Sequence, residues 1–226
     1  MPLLSVIMPV YNEEKTIEKI VSIIESVKID KEIIIVDDAS CDRTGEILRG
    51  LKRPGIKVFS HKVNSGKGAA VRTGLKNSSG EIVIIQDADL EYDPRDYPNL
   101  IAPILSNQAD FVLGIRFTKG YKGLIAHRLG NLFLTWLQNV LYGCRLSDTH
   151  TCYKVTRREV FNSFDLKSND FSLEQEIISK ALKRSLRIIE VPIAYHPRSY
   201  SQGKKIRYHD AFDVIIHMLR LRFGKG

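Results

Sequence analysis

The first half of the chain alternates short apolar runs with segments whose apolar residues recur every three or four positions. Runs rich in β-branched residues are typical of strands that are buried on both faces of a sheet. These runs cover residues 4–10, 32–36, 56–60, 82–86 and 111–114. The helical spacing covers residues 17–27, 44–52, 67–77 and 96–107. The alternation predicts an α/β fold with a doubly wound, mostly parallel central sheet flanked by helices.

The second half of the chain has a less regular pattern. It predicts a strand over residues 187–194 and helices over 128–142, 172–183 and 208–222. The first of these helices collects Leu129, Leu132, Phe133, Trp136, Leu137, Val140 and Leu141 on one apolar side. Because no repeat or low-complexity linker interrupts the chain, we predict a single domain over residues 1–226.

Charged side chains follow four of the predicted strands, among them Glu13, Asp37 and Arg116. The carboxyl ends of parallel strands share one edge of the sheet, where ligands bind in such folds. Asp87 and Asp89 directly follow the fourth strand and point the same way in an extended chain. Two converging carboxylates suit a hard divalent ion such as Mg²⁺, although a polar turn explains them too.

Two cationic loops are candidate anion-binding segments. Lys67 stands between two glycines where the third helix begins, so backbone N–H groups there could receive an anion or the glycines could permit tight packing. Arg198 and Lys204 occupy a loop of small residues and could neutralise a diphosphate leaving group, or could simply be exposed. Tyr11 is a candidate to stack on a nucleoside base, or a half-buried aromatic residue.

Composition narrows the class of protein. Apolar residues make up 43% and charged residues 27% of the chain, which is typical of globular proteins. Three scattered cysteines and the absence of a basic leader favour a cytoplasmic location. The longest stretch without Asp, Glu, Lys or Arg covers residues 129–144, which is shorter than the ~20 apolar residues of a membrane span. The net charge of +8 is concentrated after residue 197, where a basic tail suits an anionic partner.

In order and spacing, three motifs resemble those of family 2 glycosyltransferases with the GT-A fold. They are PVYNE at residues 9–13, VDDAS at 36–40 and DAD at 87–89. Residues 148–154, 171–176 and 191–205 resemble the polyprenyl-phosphate (dolichyl-phosphate) hexose synthases of that family. The resemblance implies a nucleotide-sugar-binding half over residues 1–117 and an acceptor side over 118–207. A basic amphipathic helix would follow over 208–226.

The resemblance also implies roles for individual residues. Asp89 is expected to bind the metal, and Arg116, Arg198 and Lys204 are expected to hold the sugar diphosphate, so that Asp89, Arg116 and Arg198 form the catalytic set. Glu91 stands where the mannose synthases have a metal-ligating glutamine, which keeps an oxygen donor and adds a charge. The other residues expected to hold the nucleotide sugar are Pro9, Tyr11, Glu13, Ile35, Asp37, Asp87 and Ala88.

These observations predict an inverting transfer of a hexose from GDP-mannose or UDP-glucose to a polyprenyl or dolichyl phosphate, with Mg²⁺ or Mn²⁺ as cofactor. An ionised acceptor phosphate needs no strong general base. Arg128, Asp148 and Lys154 are candidate acceptor residues. The last helix is expected to lie on a membrane surface, or else to pack on the core.

Two alternatives stay open at this stage. In the first, the acceptor is a soluble saccharide hydroxyl, and Asp148, Glu174 or Glu176 acts as the general base. In the second, the chain is a non-catalytic nucleotide-binding module. Nucleic acid is not a predicted partner, because acidic strand ends repel a phosphodiester backbone. The single tryptophan, Trp136, lacks the Gln-x-x-Arg-Trp context of processive polysaccharide synthases.

Overall fold

The computed structural model describes residues 1–116, 125–198 and 210–224. Seven strands in these residues form one sheet, in the order β3-β2-β1-β4-β6-β5-β7. The strands are β1 (Leu4–Val10), β2 (Lys31–Asp37), β3 (Ile56–Ser60), β4 (Ile82–Ile85), β5 (Phe111–Ile115), β6 (Lys154–Arg157) and β7 (Ile188–Pro192). The predicted α/β class is therefore confirmed, and the strand boundaries lie close to those expected from the apolar runs.

The sheet is mixed in direction. β3, β2, β1 and β4 run parallel, and so do β5 and β7. β6 lies between β4 and β5 and is antiparallel to both. One reversed strand in the middle of the sheet is compatible with a mostly parallel prediction, but the apolar pattern alone did not predict it.

Helices flank this sheet. Those of the described residues are α1 (Ile17–Ser26), α2 (Thr44–Gly50), α3 (Lys67–Lys76), α4 (Tyr97–Leu105), α5 (Ile125–Tyr142), α6 (Arg158–Ser163), α7 (Ser172–Lys183) and α8 (Asp210–Phe223). Short α6, which follows β6 directly, was not predicted. In α1, the helical spacing of the sequence corresponds to one buried face, formed by Ile17, Ile20, Val21 and Ile24.

The hydrophobic core lies along β1 and β4, whose residues are all buried. α3 packs closely on β1, because a Cβ at Gly74 would overlap the side chain of Ile7. This close approach fixes α3 beside β1, and the loop before α3 then lies near the carboxyl edge of the sheet.

Helix α5 departs from the expected pattern. The apolar side of a helix normally packs against the core, but Leu129, Trp136 and Val140 are 61%, 58% and 60% exposed. Its buried positions include Thr135 and Gln138. Gln138 accepts a hydrogen bond from Gln175 of α7, so α5 contacts the rest of the protein partly through polar groups. The exposed side of α5 is therefore its apolar side.

Candidate active site

The backbone turns sharply where β1, β2 and β4 end. Asn12, Ala39 and Leu90 have φ values of 54°, 58° and 63°, in the left-handed region that non-glycine residues seldom adopt. Each stands within three residues of a predicted site residue. These turns bring the side chains that follow three separate strands to the same edge of the sheet, and such strained positions are concentrated at functional sites.

Arg198 contacts carboxylates from two of these strand ends. Its Nη2 lies 2.7 Å from Oδ2 of Asp89, and its Nη1 lies 3.3 Å from Oε2 of Glu13. Its backbone N–H donates to Oε1 of Glu91 at 2.8 Å. Arg198 stands more than 100 residues from each of these partners in the sequence. The structure therefore brings together the predicted acidic and cationic sides of the site.

Asp89 is partly buried and lies among like charges. Burial, together with the Asp87 and Glu91 carboxylates, raises the pKa of Asp89 to about 7, although Arg198 opposes this effect. Its Oδ1 accepts the Glu91 N–H at 3.0 Å, which orients the carboxylate. A buried carboxylate in such surroundings is strongly stabilised by additional positive charge.

The donor atoms at this position are compatible with a hard divalent ion. Carboxylate oxygens are the ligands that Mg²⁺ and Mn²⁺ prefer, and Mg²⁺ is commonly held by one or two carboxylates with substrate phosphates. No cluster of three or more His, Cys, Asp or Glu side chains suited to a metal occurs in residues 1–116, 125–198 and 210–224. The Asp89 carboxylate could supply ligand oxygens to such an ion.

Glu91 joins two segments of the chain at the carboxyl edge of the sheet. Its Oε2 accepts the Tyr195 hydroxyl at 2.7 Å, and its backbone carbonyl accepts the His196 N–H at 2.8 Å. Together with the Arg198 N–H, these bonds attach the segment after β7 to the loop after β4. Glu91 thus aligns the arginine-bearing segment, and its expected role as a metal ligand stays a prediction.

The predicted nucleoside residues differ in accessibility. Asp37 and Ser40 line a cavity of about 770 Å³ beside β2, and Asp37 accepts the Ser40 N–H at 3.1 Å. Glu13 and Tyr11 lie partly exposed at the end of β1. In contrast, the side chain of Ile35 is fully buried in the core. Pro9 and Ala88 are also buried, so these three side chains do not reach the site surface.

The loop before α3 is held by internal partners. Asp38 accepts the backbone N–H groups of Ser65 and Gly66 at 2.9 and 2.7 Å. The N–H of Gly68 donates to the carbonyl of Asn169 at 2.7 Å, and a Cβ at Gly66 would overlap that same carbonyl. Of the two alternatives for this glycine loop, tight packing is therefore correct, and anion binding is not supported.

Lys67 forms ion pairs with two carboxylates of the protein. Its Nζ lies 2.7 Å from Oδ1 of Asp87 and 2.8 Å from Oε1 of Glu174. The other oxygen of Glu174 accepts from Lys154, which is fully buried. Sequence reasoning missed this arrangement, because nothing in the local spacing of Lys67 or Glu174 indicates a partner about 100 residues away.

Arg116 and Asp148 form a buried pair. Nε and Nη2 of Arg116 each lie 2.8 Å from an Asp148 oxygen, and the Arg116 N–H donates to Oδ2 at 3.0 Å. Glu190 accepts the N–H of Asp148 at 3.2 Å and so holds the segment in place. Arg116 was expected to hold the sugar diphosphate, and the structure shows that its guanidinium already binds a carboxylate.

The candidate acceptor residues differ in accessibility. Asp148 and Lys154 are fully buried within ion pairs, and their expected contact with an acceptor stays a prediction. Arg128 lies exposed in the first turns of α5. Lys204 lies outside the described residues.

Comparison with known proteins places these features in a family. The profile of glycosyl transferase family 2 matches residues 5–164. A dolichol-phosphate mannosyltransferase of Pyrococcus furiosus is 30% identical over 98% of this chain, which spans 64% of that protein's length. A UDP-N-acetylglucosamine–dolichyl-phosphate N-acetylglucosaminyltransferase of Methanococcus voltae is 29% identical over 99% of the chain and 97% of its own length.

Solved structures share the fold. A glucosyl-3-phosphoglycerate synthase of Mycobacterium tuberculosis, crystallised with Mn²⁺, uridine diphosphate and glucosyl-3-phosphoglycerate, matches all of this chain with a TM-score of 0.74. The match covers 81% of that protein at 22% identity, which is a likeness of fold. The mixed seven-stranded sheet with its flanking helices is thus a GT-A fold, and the chain belongs to glycosyl transferase family 2.

Proposed function

We propose that this enzyme transfers a hexose from a nucleotide diphosphosugar to a polyprenyl or dolichyl phosphate, with inversion at the anomeric carbon. One observation carries the choice of acceptor: the carboxylates that could activate a hydroxyl acceptor are engaged in ion pairs. A phosphate oxygen is already ionised near neutral pH and can attack without a base. The Pyrococcus and Methanococcus relatives, which are named for transfer to dolichol or dolichyl phosphate, support this acceptor.

Each of the three candidate bases has strong partners. Burial alone raises the pKa of Glu174, but the Lys154 and Lys67 ammonium groups lower it to about 2. The pKa of Glu176 is also lowered, because the Lys180 ammonium and backbone N–H groups outweigh its burial. Asp148 accepts the Arg116 guanidinium on both oxygens. Such carboxylates are poor proton acceptors at neutral pH.

On the donor side, Asp89 would hold the divalent ion, with Glu91 as the second predicted ligand. When bound, the ion would supply positive charge to the diphosphate of the leaving nucleotide. Arg198 is placed to exchange its carboxylate partners for diphosphate oxygens, and Lys204 is proposed to assist. The acceptor oxygen would form a bond to the anomeric carbon as the bond to the diphosphate breaks on the opposite face. GDP-mannose and UDP-glucose are the proposed donors.

We also propose that the enzyme lies on the membrane that carries its acceptor. Within the part of the chain that the structure describes, no helix is both long and apolar enough to cross a bilayer. The exposed apolar side of α5 and the exposed Ile216, Leu219 and Phe223 of α8 suit a surface contact instead. The two helices meet where Arg222 donates to the Leu141 carbonyl at 2.8 Å, and arginines there suit anionic headgroups.

A transfer assay tests the reaction. The full chain is incubated with a polyprenyl phosphate, MnCl₂ or MgCl₂, and either GDP-mannose or UDP-glucose. We expect a lipid-linked hexose of inverted configuration, at least ~10³-fold less of it with Asp89→Ala, and unchanged yield with the exposed control Asp30→Ala. Transfer to a soluble saccharide but not to the lipid would overturn the proposal of a lipid phosphate acceptor. Failure to transfer a sugar from any nucleotide sugar would favour the alternative of a non-catalytic nucleotide-binding module.

Sedimentation with phosphatidylglycerol vesicles tests the membrane contact. The double variant Phe133→Ser, Trp136→Ser should sediment at least about ten-fold less than the wild type, because it removes the stacked aromatic pair of α5. Val63→Ser removes an equally exposed apolar side chain elsewhere and should have no effect. Equal sedimentation of all three proteins, or no sedimentation of the wild type at low salt, would contradict this surface.

A further inference from the structure

Four charged side chains of alternating sign form a row that leads from the site edge into the protein. The row consists of Asp87, Lys67, Glu174 and Lys154, and neighbouring members are joined by ion pairs. The side chain of Lys154 is fully buried, and those of Glu174 and Lys67 are 9% and 12% exposed. A buried charge is tolerated when it is paired, so each member depends on its neighbours.

The members of this charge row come from separate elements. Asp87 follows β4, Lys67 begins α3, Glu174 lies in the first turn of α7, and Lys154 begins β6. The start of α3 is itself fixed by the hydrogen bond from Gly68 to the Asn169 carbonyl. The backbone of Lys67 is therefore fixed at the start of α3, and its ammonium group is held by Glu174 of α7.

Asp87 is the accessible end of the charge row, with 23% of its side chain exposed. Within the described residues, its side-chain ion pair is the one with Lys67. Asp89 differs, because it has both the Arg198 guanidinium and the Glu91 N–H. The orientation of the Asp87 carboxylate thus depends on a lysine that is positioned from the second half of the chain.

We propose that Lys67 and Glu174 are positioning residues that orient Asp87 toward the bound donor. Glu174 holds the Lys67 ammonium, and Lys67 holds Oδ1 of Asp87, which leaves Oδ2 directed at a ligand. The inference rests on the proposed function in one respect, namely that Asp87 contacts the nucleotide sugar. It assigns Glu174 a task other than that of a general base.

The first test needs no ligand. Hydrogen–deuterium exchange is measured for the peptide that covers residues 86–91 in wild type, Lys67→Met and Glu174→Gln. We expect exchange about ten-fold faster in Lys67→Met and a smaller increase in Glu174→Gln, because each loosens the loop after β4. Lys57→Met, which breaks the Lys57–Glu32 pair elsewhere on the sheet, is the matched control. Unchanged exchange at residues 86–91 in both site variants would overturn the proposal.

The second test separates positioning from direct donor contact. Binding of GDP-mannose and UDP-glucose with MnCl₂ is measured by calorimetry for Lys67→Met, Asp87→Asn and the double variant. Lys67→Met should weaken binding about ten-fold alone, and should add little once Asp87 is already neutral. An equal loss in both backgrounds would show that Lys67 does not act through Asp87, and would overturn the proposal.

The two tests also distinguish this inference from the proposed function. If neither nucleotide sugar binds the wild type, the proposed donors are wrong, and the exchange experiment alone decides whether Lys67 positions Asp87. If Lys67→Met does not fold, as judged by circular dichroism, Glu174→Gln takes its place in both experiments. This substitution keeps the shape of the side chain and removes its charge.

Discussion

The first half of the chain, residues 1–116, and the second half, described over residues 125–198 and 210–224, position their polar groups in different ways. In the first half, Glu13, Asp37 and Asp87 stand at or shortly after strand ends, and sharp local turns follow these strands. In the second half, Lys154, Asp148 and Glu174 lie inside the protein and are oriented by charges from distant segments. The first arrangement is local in sequence, and the second depends on the completed fold.

This difference has an energetic consequence. A carboxylate at a strand end keeps part of its hydration, so its loss changes chemistry more than stability. A buried ion pair has given up its hydration, and removal of one partner leaves an uncompensated charge in the interior. We therefore expect the loss of a buried ion-pair partner such as Asp148 to destabilise the protein, and substitutions at the strand ends to impair binding of the proposed donor first.

The largest expected effect is at the Arg116–Asp148 pair. Asp148→Ala leaves the Arg116 guanidinium buried without its carboxylate, and should lower the free energy of unfolding by about 3–5 kcal/mol. Urea unfolding followed by circular dichroism measures the change. Arg43→Met removes an exposed ion pair with Glu46 and should cost less than about 1 kcal/mol. Equal losses in the two variants would remove the distinction between the halves.

The second-largest expected effect on stability is at the contact between the start of α3, in the first half, and the segment before α7, in the second half. Gly68→Ala places a Cβ against the Ser168 carbonyl and should lower the free energy of unfolding by about 1–3 kcal/mol through overpacking. Gly50→Ala is the matched control, because a Cβ there meets no atom within 4 Å. The control should be neutral or slightly stabilising in thermal unfolding. An unchanged free energy of unfolding in Gly68→Ala would show that the backbone at Ser168 can move to accommodate the added Cβ.

A pH effect follows from Glu32. Its burial would raise the pKa, but hydrogen bonds from Lys57, Ser5 and Ser79 lower the pKa to about 2. The carboxylate therefore stabilises the fold above pH 4.5, and this stabilisation is lost as the pH falls toward 2. Because Lys57 is half-exposed, solvent screens its interaction with Glu32 and limits the size of this stabilisation. Unfolding of Glu32→Gln should depend less on pH between 4.5 and 2, and an unchanged slope would contradict the assignment.

The smallest expected effect is on the exposed side of α5. Trp136→Ser should change the free energy of unfolding by no more than about 0.5 kcal/mol, because the indole is 58% exposed. Chemical denaturation of the monodisperse protein measures the change. A loss above about 2 kcal/mol would mean that the tryptophan is covered by the protein itself, and the apolar side of α5 would then belong to the core.

Sequence patterns were sufficient for the local features and failed for the distant ones. The apolar runs located the strands of the first half, and the acidic residues after them indicated the site edge. The reversed direction of β6 could not be read from its four residues, since parallel and antiparallel strands can share an apolar pattern. The exposed apolar side of α5 has a pattern identical to that of a core-facing helix, so only the fold could distinguish them.

The ion pairs were the least predictable features. Lys67 was considered as an anion-binding group, and its glycine neighbours supported that hypothesis. Its actual partners, Asp87 and Glu174, stand 20 and 107 residues away in the chain, and the sequence contains no signal that pairs them. Arg198 was expected at the acidic site from its charge and from the family resemblance, and the structure places it 2.7 Å from Asp89.

Arg198 acts as an internal counter-ion for the carboxylates at the strand ends. The proposed metal–nucleotide complex would replace these ion pairs with others at the same strand ends, so its binding would depend on short-range ion contacts. Binding driven mainly by exchange of close ion partners is weakly screened by dissolved salt. We therefore expect donor affinity to vary little with ionic strength, whereas attachment to an anionic membrane would decline steeply. If the proposed donor and membrane contact are correct, raising the ionic strength would detach the enzyme from the membrane without releasing the nucleotide sugar.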